Sequence, residues 1–175
     1  MWYVDTDNVI RVVGLRNVVT GAYVNNATVT GRLYQLPALH PDAAAAVNRG
    51  SGVVGIPCTG HGLAIGTTVR LERSINYSSV FVLHADTTVN ELAITATFAA
   101  ETFTGDEFIY KAIVGTVAVP ITFSYEYESD GNYVGKFPYT APLLQGESYM
   151  MCVREVSGSE QVLAKIVHRA GFQGM

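Results

Sequence analysis

Residues 117–128, VAVPITFSYEYE, place Val117, Val119, Ile121, Phe123, Tyr125 and Tyr127 on one side of an extended chain, with Ala118, Pro120, Thr122, Ser124, Glu126 and Glu128 on the other. Successive side chains of a strand point to opposite faces, so the stretch predicts a β-strand with one buried face. Asp130-Gly131 follows, and then a second alternating run, Tyr133, Gly135 and Phe137. The two runs read as a hairpin closed by a tight turn that tolerates positive φ. Pro120 has no N–H to give to a ladder, which predicts that this strand lies at an edge or is bulged there.

The same grammar extends along the chain. A strand is expected over Val9 to Val13, then a turn around Asn17 to Gly21. A longer strand follows, with Ala27, Val29 and Leu33 on one face and Thr28, Thr30 and Arg32 on the other, entered through a bend or bulge at Asn25-Asn26. The alternation stops at Leu36, and residues 36–50, LPALHPDAAAAVNRG, read as a linker with at most one or two helical turns, Asp42 being placed to cap. A second series is expected at Val53 to Ile56, Thr67 to Glu72, Ser79 to Ala85, Glu91 to Phe98 and Phe108 to Lys111. Short strands at that spacing make a compact barrel or curled sheet. The last series comprises Val117 to Glu128, Asn132 to Phe137, Glu147 to Val156 and Gln161 to His168.

Two N-terminal strands cannot bury a core by themselves, whereas four C-terminal strands carry matching alternation. The expected fold is therefore all-β: a discontinuous immunoglobulin-like sandwich built from residues 5–35 and 116–170, with 36–50 as linker and 51–115 inserted as a small β-barrel.

Composition narrows the chemistry. The chain has 175 residues, 15% charged and 49% apolar, with a formal net charge of −4. It is long enough to bury a core without a disulfide or metal. Without a cluster of Lys and Arg it lacks the electrostatic footprint of a nucleic-acid binder. The start, MWYVDTDN, is no secretory signal, and Ala112 to Tyr125 is too short to span a bilayer, so a soluble protein made without an export tag is expected. Cys58 and Cys152 lie in no redox or metal spacing and read as small buried thiols in a reduced compartment.

His40, His61, His84 and His168 are scattered, and His61, between glycines in Thr59-Gly60-His61-Gly62-Leu63, reads as a turn-stabilising contact. Glu126, Glu128 and Asp130 crowd one strand end but read as a solvated face, and Asp5 with Asp7 makes only half of a calcium loop. No nucleophile elbow, phosphate loop or dinucleotide fingerprint is present. The expectation is a protein that is not an enzyme and holds no cofactor or metal. Tyrosines concentrate in the last third, and tyrosine supplies contact surface at low entropic cost. Trp2 and Tyr3 at one end, Phe172 and Met175 at the other, and Tyr139 are the candidate partner-binding residues, the termini acting as docking arms.

Two stretches carry a family likeness. DNVIRVVGLRNVVTGAYVNNATVTGRLY, with ITFSYEYESDGNYVGKFPYTAPLLQGESYMMCVREV, resembles small immunoglobulin-like virion proteins of tailed bacteriophages, through a D-N-x-I-x-x-x-G-L start, an N-x-A-T-V-T strand and an S-D-G-x-Y-x-G hairpin. Between them, TGHGLAIGTTVRLERSINYSSVFVLHADTTVNELAIT is similar to a β module of phage structural proteins and to the first catalytic-cysteine half-domain of ubiquitin-activating enzymes. Cys58 precedes that module without a catalytic motif, so the likeness is one of fold. The resemblance implies a virion protein assembled in the host cytoplasm, first a capsid decoration protein bound to the major capsid protein or other virion subunits as a homo-oligomer. The alternatives are a neck or tail component, such as a head-to-tail adaptor or ring-forming tail protein, and a carbohydrate-binding fibre module.

Overall fold

The computed structural model of the chain describes residues 1–16, 20–25, 27–115, 120–126, 130–155 and 162–171. Among these, regular structure is all strand and no helix is present. In chain order the strands are β1 (Trp2–Tyr3), β2 (Asn8–Val12), β3 (Val29–Leu36), β4 (Val47–Gly50), β5 (Val53–Pro57), β6 (Thr68–Glu72) and β7 (Val80–Val82). They continue with β8 (Glu91–Thr95), β9 (Phe108–Val114), β10 (Ile121–Tyr125), β11 (Tyr133–Phe137), β12 (Ser148–Glu155) and β13 (Val162–Gly171). The chain divides into two compact units, Met1–Leu36 with Ile113–Met175, and Pro37–Ala112.

In the first unit the hydrogen-bonded order is β1-β13-β12-β3-β10-β11-β2. Ile121 and Phe123 of β10 are buried while Thr122 and Ser124 are exposed, and Tyr133, Gly135 and Phe137 of β11 alternate in the same way. Trp2, near one end of that strand order, meets Phe137, near the other, edge-on at a centroid distance of 5.9 Å. The path thus curls back over itself around one apolar core, to which Ile10, Val29 and Leu33 contribute beside Phe123, Tyr133 and Met151. Six successive residues of β3, Val29 to Tyr34, are buried, so this strand is covered on both faces.

Glycines set the spacing inside that core. A Cβ on Gly31 of β3 would lie 2.8 Å from the Phe123 ring, and one on Gly135 of β11 would lie equally close, at 2.8 Å. The benzyl ring of β10 fills the space left open on both flanking strands. At the hairpin end Glu126 N–H donates to the Asn132 carbonyl (2.8 Å), and Gly131 has φ +71°. A side chain there would strike the Leu15 backbone, 2.4 Å from its carbonyl oxygen. Residues 117–119 and 127–128 of the expected strand, 17–19 of the expected first turn and Asn26 of the expected bend lie outside the described residues. Pro120 immediately precedes β10, and β10 lies between β3 and β11, which corrects the edge-strand expectation. Pro120 itself lies outside β10, so its missing N–H takes no rung from that strand.

The second unit has its own core, including Val54, Ile56, Leu71, Tyr77, Leu92, Ile94, Phe103 and Ile109. Hydrogen bonds run around it in a ring. β5 pairs with β8, Leu83 after β7 bridges Ile94 of β8, β7 pairs with β6, and β6 with β9. Leu39 then bridges Ile109 of β9, and Asp42 N–H donates to the Pro57 carbonyl at 2.8 Å. This overturns the reading of residues 36–50 as a linker with helical turns: Leu39 and Asp42 are rungs of the ring, Ala45 bridges Thr102, and Val47–Gly50 is a strand. Four alanines are too few to nucleate a helix after Pro41. The Asp42 carboxylate accepts from the N–H (2.9 Å) and hydroxyl (2.8 Å) of Thr59 instead of capping a helix.

Candidate functional site

The expected partner-binding residues do not share one environment. Trp2 is 4% exposed and belongs to the first core, its ring edge-on to Phe137 and, at 5.1 Å, to His168. This corrects its assignment to a docking arm, because an indole of that area is stabilised far more by burial at home than in water. Tyr3 is half-buried in β1, which pairs in parallel with β13 through Trp2 with Ala170 and Tyr3 with Gly171. Asn8 locks this turn, accepting from Tyr3 N–H (2.7 Å) and donating to the Tyr3 (2.8 Å) and Thr6 (2.9 Å) carbonyls. Phe172 and Met175 lie outside the described residues.

Tyr139 is 61% exposed, at the start of the loop that joins β11 to β12. That loop is built from its own hydrogen bonds. Tyr139 N–H donates to Asp7 Oδ1 (2.8 Å), Ala141 N–H to the Pro138 carbonyl (3.0 Å), and Leu144 N–H to the Tyr149 hydroxyl (2.8 Å). Gly146 N–H donates to the Ala170 carbonyl (2.9 Å), and Arg169 Nε to the Gly146 carbonyl (2.6 Å). Leu143 points into the core and its neighbour Leu144 is 60% exposed. Sequence reading missed Leu144, although the pair Leu143-Leu144 in a loop bracketed by Pro142 and Gly146 can bury only one of its two side chains. It also missed Val167, 55% exposed on β13.

The groups that could carry chemistry are committed to structure. His61 sits where the glycine pattern placed it: Leu63 N–H donates to Nδ1 at 2.9 Å, which leaves Nε2–H to donate to the Thr88 carbonyl. His40 Nδ1 meets the Glu107 carbonyl at 2.8 Å, and His84 lies 3.4 Å from Asp86. For His168, burial and then the positive N-terminus lower the pKa below the ordinary histidine value.

Glu91 reaches across the middle strand of the β4-β5-β8 sheet to a bidentate pair with Arg49, both contacts 2.8 Å. A Cβ on Gly55 of β5 would lie 2.2 Å from that carboxylate, so glycine leaves the passage open. The Glu91 hydrogen bond and charge raise the pKa of Arg49. Glu101 accepts from Ser74 and from the N–H groups of Ile75 and Asn76. Glu107 accepts from the N–H groups of Thr104 and Gly105. Burial pushes its pKa up, but hydrogen bonds from its own N–H, from these two and from the Thr104 hydroxyl outweigh that and hold it below the usual carboxylate range.

Both cysteines are buried and neither is in a disulfide. The Cys58 thiol donates to the His40 carbonyl, and burial, then the nearby Asp42 charge, push its pKa up to about 11. Of the acidic cluster, Glu126 accepts two hydrogen bonds from Arg11, and Glu128 lies outside the described residues. Among the described residues no three His, Cys, Asp or Glu side chains gather as metal ligands. Among several exposed apolar side chains, Tyr139 and Leu144 share one hydrogen-bonded loop. The chain matches no family model, no curated protein and no solved structure.

Proposed function

We propose that this chain is a structural component of a tailed-bacteriophage particle, a capsid decoration protein that binds and stabilises the shell by protein–protein contact. In this reading the first unit is an immunoglobulin-like sandwich and the second an inserted small β-barrel. The support for the fold is the Trp2–Phe137 closure in one unit and the ring of hydrogen bonds in the other. The observation that carries the function is the loop holding Tyr139 and Leu144 outward while its backbone is fixed at Asp7, Tyr149 and Ala170. A loop ordered before binding loses little entropy on docking, and aromatic and aliphatic anchors of this kind dominate interface energies. A shell gains stability from each bound copy by mass action.

The test is incorporation of Tyr139→Ala/Leu144→Ala into particles, with copies per particle counted by quantitative mass spectrometry. Loss of about tenfold or more of the incorporated protein is expected, since two anchors at about 2 kcal/mol each are ample for that change. Equal incorporation of a folded double variant would refute the docking role of the loop. Hundreds of copies of the unmodified chain place it on the shell, whereas about six or twelve, one ring, would replace decoration by the neck or tail alternative.

A further inference from the structure

We infer that the second unit associates head-to-tail with further copies of this chain, Ile75 of one copy seating in a groove between residues 61–65 and 87–89 of the next. Ile75 is the most exposed large apolar side chain among the described residues, at 89%. It stands on the turn that follows β6, and that turn is fixed. The Glu101 carboxylate accepts from Ile75 N–H (2.8 Å), Asn76 N–H (2.9 Å) and the Ser74 hydroxyl (2.9 Å), and the Ser74 oxygen accepts from Tyr77 N–H at 2.8 Å. An isoleucine held in water on such a turn adds nothing to its own core. On docking it gains apolar burial with little loss of backbone freedom.

The groove has a volume of about 350 Å³ and is lined by Leu63, Ile65 and Val89, of which Ile65 and Val89 are exposed. Its two sides are tied together before anything docks. Gly60 N–H donates to the Val89 carbonyl (2.9 Å), and His61 accepts from Leu63 N–H while donating to the Thr88 carbonyl. Residues 61–65 lead into β6 at Thr68, and Ile75 comes after its last residue, Glu72. Knob and groove are thus separated by a strand about 15 Å long.

Charge favours a second copy as the occupant. Arg73, exposed, at φ +67° and stacked over the Phe108 ring at 4.6 Å, places a cation two residues from Ile75. Asp86, exposed with His84 3.4 Å away, adjoins Thr87 of the groove. Arg49, whose pKa the Asp86 charge helps to raise, is already held by Glu91, so Asp86 leaves the balance there negative. Knob to groove brings these opposite charges together, whereas knob to knob opposes like charges and fills no groove. A knob and a groove at different places on one surface make a heterologous contact, which propagates into an open chain or a closed ring.

The test is sedimentation velocity of the full chain in solution at rising concentration. The unmodified chain is expected to form species larger than dimers. Ile75→Asp, which spoils the knob, and Val89→Asp, which spoils the groove, are each expected to weaken association by about tenfold or more. Circular dichroism reports that both remain folded, and Ile75→Ser or Val89→Ser replaces either that does not. An equimolar mixture of the two variants is expected to form dimers and nothing larger, because one intact knob and one intact groove remain between them. A monomeric unmodified chain, assembly that stops at dimers, association untouched by either variant, or a mixture that stays monomeric would overturn the inference. This goes beyond the particle reading and does not depend on it, since none of these variants alters Tyr139 or Leu144 and no particle is used.

Discussion

Gly31 and Gly135 are as necessary to the first core as the aromatic ring between them. With 2.8 Å from each hypothetical Cβ to the Phe123 ring, Gly135→Ala is expected to cost about 2 kcal/mol by overpacking, read as a lowered urea midpoint. Phe123→Leu in the same background should recover part of that loss, because the clash is with the ring. Trp2 is the sole tryptophan and lies in the core, so Trp2→Ala is expected to cost about 3–5 kcal/mol, in contrast to the negligible cost of trimming a free arm. Cys58, its thiol pushed up to about 11, should be alkylated by iodoacetamide at pH 8 about a hundredfold more slowly than an ordinary cysteine. Alkylation at an ordinary rate would show the thiol to be accessible and unshifted. Period-two patterning reveals Phe123 as inward-facing, but not that the two facing residues must be glycines, nor that Trp2 crosses to meet Phe137. Those contacts arise between strands distant in the chain.

At the level of elements, alternation makes β10 and β11 legible because each has one wet face, and the same holds for β2. It fails for β4, whose residues Val47–Gly50 are all exposed and carry no burial pattern, and for β1, which is two residues long. Helix propensity in the Ala43 to Ala46 run loses to backbone bridges that no local signal announces. Two ionisable groups tie strand ends and turns to pH with the same sign. A group whose pKa is depressed by folding binds more protons in the unfolded chain, so its stabilisation is complete above the unfolded pKa and lost as pH falls toward the folded one. His168 on β13 should therefore weaken the first unit as pH falls below about 6.5, and Glu107 before β9 should weaken the second below about 4.3. His168→Gln is expected to flatten the first slope and Glu107→Gln the second, measured as urea midpoints from pH 7 to 3. An unchanged slope in either variant would remove that group from the acid response.

For the whole molecule, one unit is assembled from both ends of the chain and the other from the middle, each with its own core. The all-β character is legible throughout, since nearly every strand has turn residues at its ends. What the sequence does not display is function: His61, which its glycine setting singles out, is spent on a turn, and Glu126 of the acidic run is spent on a cross-strand pair with Arg11. The exposed contact surface depends on which of Leu143 and Leu144 turns inward; Leu143 does, and Leu144 N–H donates to the Tyr149 hydroxyl. The most direct test of a particle role is an electron-microscopy map of purified phage particles from cells producing this chain. The expected result is density for both units seated on a neighbouring virion subunit, with Tyr139 and Leu144 in the contact. Particles without the chain, or a bound chain whose Tyr139 and Leu144 face solvent, would contradict it.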